Sequence, residues 1–160
     1  MSILPPQTRI GHVHLKVADL ERAIAFYSGI LGFDVMQRYG TQAVFLSAGG
    51  YHHHIGLNTW DSKGGTAPPP GHTGLYHTAF LFPDRAALAN VLKRLVDVKY
   101  PLDGASDHGV SEAIYLSDPD GNGVELYRDR DEADWPRNPD GTLSMTTGRF
   151  DLAALLAEVR

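Results

Sequence analysis

Apolar and polar residues alternate from residue 11 to residue 17. Val13, Leu15 and Val17 fall on one side of an extended chain, and His12, His14 and Lys16 on the other. Asp19 is a good helix N-cap, and the following run places Leu20, Ile24, Tyr27 and Leu31 on one stripe, flanked by Ala23 and Ile30. The pattern predicts a helix from Leu20 to Leu31, ended by Gly32. Three strands are expected next, Phe33–Tyr39, Ala43–Ser47 and Tyr51–Asn58, with Gly40 and Gly49-Gly50 at the turns. A polar, proline-rich connection follows, from Asp61 to Gly71.

The same order then recurs. Leu75–Phe82 reads as a strand, and Asp84 opens a helix to about Val96 whose buried side carries Leu88, Val91, Leu92 and Leu95. Strands are expected near Pro101–His108, Glu112–Ser117 and Gly123–Arg128, the last two joined by the turn cluster Asp118-Pro119-Asp120-Gly121-Asn122. In the tail, Asp151 caps an amphipathic run, Leu152–Val159, whose apolar stripe of Leu152, Leu155, Leu156 and Val159 needs a surface to cover.

The class is therefore α+β, with two βαβββ repeats at about residues 11–60 and 74–129 and a C-terminal tail and helix over 130–160. The whole of 1–160 is read as one domain. In both repeats a His on the first strand, His12 or His77, is followed seven positions later by the Asp that opens the helix. Each helix covers only one face of its sheet, so the other faces are expected to line a cup. His12, His77 and Glu125 each alternate away from the apolar residues that would pack beneath a helix. His14 shares a face with His12 and competes with it for the same role.

Composition narrows the chemistry. The chain has 160 residues, 42% hydrophobic and 21% charged, as in ordinary globular proteins. It has a net charge of −5 and no basic run, which argues against a nucleic-acid partner. No apolar stretch approaches a membrane span, and the N-terminus does not read as a signal peptide. There is no cysteine, which excludes thiolate metal sites and fits a cytoplasmic location, while eight histidines are present. Any tight transition-metal site must then use imidazole and carboxylate. Two neutral imidazoles with one carboxylate suit Fe(II) or a similar divalent ion, with positions left open for substrate and oxygen.

The run His12-Val13-His14-Leu15-Lys16-Val17-Ala18-Asp19-Leu20-Glu21-Arg22-Ala23-Ile24-Ala25-Phe26-Tyr27, closed by Leu31-Gly32-Phe33, resembles the first β-α unit of the vicinal-oxygen-chelate superfamily. That superfamily holds glyoxalases, extradiol dioxygenases and bleomycin-resistance proteins. The stretches Ser47–Asn58, Thr73–His77 and Asp107–Gly123 resemble bacterial catechol 2,3-dioxygenases of the CatE type, as does the tail with Trp135 and Met145-Thr146-Thr147.

The resemblance implies a single vicinal-oxygen-chelate module with a cup-shaped metal site. Its metal ligands are His12, His77 and Glu125, holding Fe(II) foremost, with Mn(II) or another divalent metal as alternatives. It implies a non-haem dioxygenase cleaving a small aromatic diol with O2. His53, in His52-His53-His54-Ile55-Gly56, falls at the acid/base position, with a fourth metal ligand from this trio left open. Tyr115, ten residues before Glu125, falls at a substrate-binding position, and His108 at a substrate hydroxyl contact. The resembling enzymes carry two modules and this chain one, so a homodimer is expected in place of the second. The alternatives are a glyoxalase-like isomerase, which typically uses a fourth-strand carboxylate, and a bleomycin-resistance-like binding protein without catalysis.

Overall fold

The computed structural model describes residues 3–160 and falls into two compact units, one ending at Thr66 and the other beginning at Ala67. Each builds a sheet with the same strand order.

In the first unit β1 (Val13–Lys16) leads to α1 (Leu20–Ile24), then to β2 (Asp34–Tyr39), β3 (Ala43–Ser47) and β4 (Ile55–Asn58), ordered β1-β4-β3-β2. β1 and β4 pair in parallel, and the other pairs are antiparallel. The Asp19 carboxylate accepts the Arg22 N–H and caps α1. The predicted helix to Leu31 is only partly α: from Ala25 to Ile30 it widens into a π-helical turn, with the Leu31 N–H bonded to the Phe26 carbonyl. This turns Phe26 and Tyr27 together into the core, where both are fully buried, and Gly32, at φ 94°, ends the helix. The predicted stripe missed Phe26 because it assumed a uniform 3.6-residue period, and Ile24 and Ile30 are only half-buried.

β4 is shorter than the predicted Tyr51–Asn58. Gly49 and Gly50, at φ 67° and 78°, turn the chain, and residues 51–54 form a connector before pairing resumes at Ile55. Strand alternation therefore does not govern His52, His53 and His54. Within the strands it holds: Leu15, Val44, Leu46, Ile55 and Leu57 share the buried face, and His14, Phe45 and Gly56 share the other.

The second unit holds β5 (His77–Leu81), α2 (Arg85–Asp97), β6 (Gly104–Asp107), β7 (Ser111–Ser117) and β8 (Gly123–Asp129), ordered β5-β8-β7-β6. β5 and β8 are parallel. The predicted strands Leu75–Phe82 and Pro101–His108 begin later than expected, the first because the exposed residues 75–76 have no partner strand. A short β9 (Gly148–Arg149), absent from the sequence reading, pairs with β6 and extends the sheet. α3 (Leu152–Leu156) stops short of the predicted Val159; Leu155 is fully buried, and the helix covers α2 of its own unit.

A buried carboxylate ties this unit together. Glu112 on β7 accepts from Arg85 Nε at 2.9 Å, Arg128 Nε at 2.9 Å and Arg130 Nη2 at 3.2 Å. Arg85 also meets Glu158 beyond α3, and Arg130 meets Asp107 at 2.6 Å. Three carboxylates thus face three guanidiniums around the N-terminus of α2. No described helix is long and apolar enough to cross a membrane.

Candidate functional site

In the second unit, β5, β8 and β7 set one polar row across the face opposite α2. Parallel pairing puts Ala79 beside Glu125, and antiparallel pairing puts Tyr115 on the other side of Glu125. Val124 and Leu126 point the other way and are buried, so Glu125 is held on the open face, its side chain only 13% exposed. His77 starts β5 and reaches the same carboxylate, Nε2 to Oε2 at 2.9 Å.

Tyr115 OH stands 3.2 Å from Glu125 Oε1 and 2.7 Å from His108 Nε2. His108 Nδ1 lies 2.8 Å from the Thr146 carbonyl oxygen. The four predicted residues of this unit, His77, Glu125, Tyr115 and His108, therefore form one continuous chain of contacts. A carbonyl only accepts, so His108 Nδ1 carries a proton. If His108 is neutral, Nε2 accepts the Tyr115 proton and Glu125 Oε1 receives none. If His108 is an imidazolium, it donates to Tyr115, which then donates to Glu125. Burial, then the Glu125 charge, push the Tyr115 phenol up to about 12, so it is a proton donor at neutral pH.

The tail holds His108 in place. The Thr146 N–H donates to the His108 carbonyl at 3.0 Å, so Thr146 grips that residue at both backbone and ring. Trp135 Nε1 anchors the tail on the Arg130 carbonyl at 2.9 Å. Sequence reading set His108 at the end of an expected strand and did not foresee this grip, since nothing in the local pattern marks a backbone carbonyl as a partner.

In the first unit, His12 lies one residue before β1, and its ring is 4.4 Å, centroid to centroid, from that of His53. His53 also packs edge-on against Phe45 at 5.1 Å and lines a pocket of about 420 Å³ with Met36, Gln37, Phe45 and His52. Burial, then the neighbouring histidines, hold His53 below the usual imidazole range, which favours its neutral, proton-accepting form. His52 Nδ1 and His53 Nδ1 are 2.8 Å apart, so one of them donates to the other.

His54 is occupied otherwise. Its Nδ1 lies 3.3 Å from the Ala48 N–H and 3.1 Å from Ser47 Oγ, which fixes the turn between β3 and β4. His14 is also engaged. Asn58 Oδ1 accepts the Trp60 N–H at 3.2 Å, which leaves Nδ2 to donate to His14 Nε2 at 3.0 Å. The His14 ring lies over Gly56, where a Cβ would come within 2.9 Å of it. With Nε2 committed to Asn58, His14 is the weaker of the two competing histidines.

Among the described residues, no group of three or more His, Asp or Glu side chains is gathered around one point where an ion could bind. The His77–Glu125 pair nonetheless fits a metal. Two donors bound side by side to one divalent ion at about 2.0–2.2 Å stand roughly 3 Å apart. An imidazole nitrogen and a carboxylate oxygen 2.9 Å apart have that spacing already.

Two βαβββ units in the strand order 1-4-3-2, each with its first and last strands parallel, define the chain as a vicinal-oxygen-chelate module. Residues 9–126 match the Glyoxalase/Bleomycin resistance protein/Dioxygenase superfamily, and the chain belongs to that superfamily. It is 40% identical over 158 residues to the catechol-2,3-dioxygenase of Bacillus subtilis (strain 168), a match covering 99% of this chain and 54% of that protein. It is 34% identical over 132 residues to biphenyl-2,3-diol 1,2-dioxygenase 3 of Rhodococcus globerulus, covering 81% of this chain and 66% of that one. The chain thus spans about half the length of the Bacillus protein. Among solved structures, a glyoxalase/dioxygenase from Nostoc punctiforme shares the fold with a TM-score of 0.64 at 21% identity, over 82% of this chain and 99% of that one. A lactoylglutathione lyase from Agrobacterium tumefaciens matches with a TM-score of 0.59 at 25% identity, over 78% of this chain and 96% of that one.

Proposed function

We propose that this chain carries an extradiol ring-cleaving dioxygenase site for a catechol-type diol, with a divalent metal, Fe(II) foremost, on His12, His77 and Glu125. The observation that carries the reading is the His77–Glu125 pair, set at ligand spacing and joined through Tyr115 to His108. Similarity to proteins named as catechol and biphenyl-diol dioxygenases supports the substrate class. In the first unit His12 supplies the remaining donor, because Asn58 occupies its rival His14.

When bound, the metal would act as a Lewis acid favouring the deprotonated diol and would bring substrate and oxygen together. The protein's own groups handle the protons. His53, neutral near pH 7, takes a proton from the diol at its ring nitrogen and later returns it. Tyr115 stays a phenol and donates to a substrate oxygen; His108, fixed by Thr146, holds the Tyr115 hydroxyl in position. A glyoxalase-type isomerase is less well supported, since β4, Ile55–Asn58, carries no carboxylate to serve as ligand and base.

The test is anaerobic reconstitution with Fe(II), followed by catechol and air. Oxygen uptake with a yellow ring-opened product is expected, and it is abolished in Glu125→Ala. His12→Ala, His77→Ala and Glu125→Ala should each lower bound iron. Full iron occupancy in any of the three would overturn that ligand assignment, and stoichiometric iron without oxygen uptake would overturn the reaction.

A further inference from the structure

Beside His77 and Tyr115 the second unit has a pocket of about 530 Å³, within the ~300–1,000 Å³ range of small-molecule sites. Glycines make the space. Gly123 lies between His77 and Ser117 in the sheet register, and Gly104 pairs with Tyr115. At Gly123 a Cβ would come within 2.2 Å of the Tyr76 carbonyl oxygen, so this floor position cannot carry a side chain in this backbone arrangement. Asp103 and Ser117 also line the pocket.

These two form a built polar contact. Ser117 Oγ donates to Asp103 Oδ2 at 2.8 Å. The Asp103 N–H donates to the Tyr115 carbonyl at 2.8 Å, and Tyr100 OH donates to the Ser117 carbonyl at 2.8 Å. Ser117 and Tyr115 are two residues apart on β7 and share a face, so they stand roughly 6–7 Å apart along the strand. That is about the span of a benzene ring with one substituent. Among the described residues, Asp103 is the only acidic side chain lining the pocket, and no Lys or Arg lines it.

We infer that Asp103, backed by Ser117, is a specificity-determining residue that selects diols whose ring carries a cationic or hydrogen-bond-donating arm and disfavours those carrying a carboxylate. The inference rests on the diol reading above. With a diol oxygen at Tyr115, a substituent across the ring lies along β7 toward Ser117 and its partner Asp103. An ammonium there replaces the Ser117 hydroxyl or shares the carboxylate with it. A carboxylate there meets a like charge with no cation to offset it.

The experiment compares three catechols of similar size, bearing at the 4-position an aminoethyl, an ethyl or a carboxymethyl group. The iron-reconstituted protein is assayed by oxygen uptake, alongside Asp103→Asn, which keeps the side chain's shape and an acceptor for Ser117. For an exposed carboxylate each charged arm shifts kcat/KM by up to about fivefold, so the aminoethyl-to-carboxymethyl ratio should be on the order of tenfold. In Asp103→Asn that ratio should fall to within about twofold of one. An unchanged ratio in Asp103→Asn overturns the inference while leaving the dioxygenase reading intact. If none of the three is turned over, the dioxygenase reading fails. Calorimetric affinities of the same three compounds then decide the pocket's charge preference: a cation preference lost in Asp103→Asn supports it, and equal affinities overturn it.

Discussion

Replacing Glu112 removes a carboxylate shared by three guanidiniums, and the cost can be followed group by group. Arg85 retains Glu158, and Arg130 retains Asp107 at 2.6 Å. Arg128 retains a contact from Nη1 to the Asp129 carbonyl at 3.2 Å, while its Nε loses its Glu112 acceptor. The Arg128 side chain is 18% exposed, so water compensates only in part. Glu112→Ala therefore leaves one poorly solvated cation and an unbalanced positive charge. Breaking a buried pair costs ~3–5 kcal/mol, and the partial exposure of the arginines brings the expectation to about 3 kcal/mol. For a chain of this size that lowers Tm by roughly 6–12 °C.

Glu112→Gln should not rescue the loss. One carboxylate oxygen faces Arg85 and Arg128 and the other faces Arg130, so either amide orientation sets an NH₂ group against a guanidinium. The assay is urea unfolding followed by circular dichroism, with a Glu112/Arg128 double-mutant cycle. Removing both partners should recover on the order of 1 kcal/mol or more relative to additivity. A loss below about 1 kcal/mol in Glu112→Ala, or additivity within ~0.3–0.5 kcal/mol, would refute the reasoning.

Three further outcomes are expected. Gly123→Ala should push β5 away from β8, costing about 1–3 kcal/mol and weakening iron binding through displacement of His77; unchanged urea midpoints would contradict the contact with the Tyr76 carbonyl. The unfolded chain loses the Tyr115 proton near pH 10 and the folded chain near 12, so stability should fall as pH rises through that window, and more gently in Tyr115→Phe; equal slopes in urea midpoint would sink this. Burial, then the neighbouring His12, hold His14 below the ordinary 6.5, so the unfolded state of the metal-free protein takes up that proton first. Its stability should then drop as pH falls below about 6.5, and an NMR titration placing His14 at or above that value would disprove it.

The repeat and the face of Glu125 were legible because strand alternation and the two His-to-Asp spacings are local signals. Val124 and Leu126 bracket Glu125 plainly enough to place its side chain on the open face. Alternation failed at His52–His54 because two glycines at positive φ remove those residues from the strand. The helical period failed after Ile24, where hydrogen bonding shifts to i→i−5 and brings Phe26 inward. The Thr146 grip on His108 and the pairing of β9 with β6 were invisible for a different reason. They join backbone groups 38 residues apart and 41 to 43 residues apart, and backbone groups leave no trace in composition.

The parallel pairing of the first and last strands in each unit also sets an order of assembly. Val13 pairs with Ile55 and His77 with Gly123, whereas the strands between them join as short antiparallel hairpins. Closure over the shorter loops costs less chain entropy, so the hairpins are expected to form early and the first strand of each unit to dock late. His77 and Glu125 ride on β5 and β8, so they meet only as that sheet completes. An ion that binds the pair would then act as a latch on the slowest step, holding the unit closed by mass action.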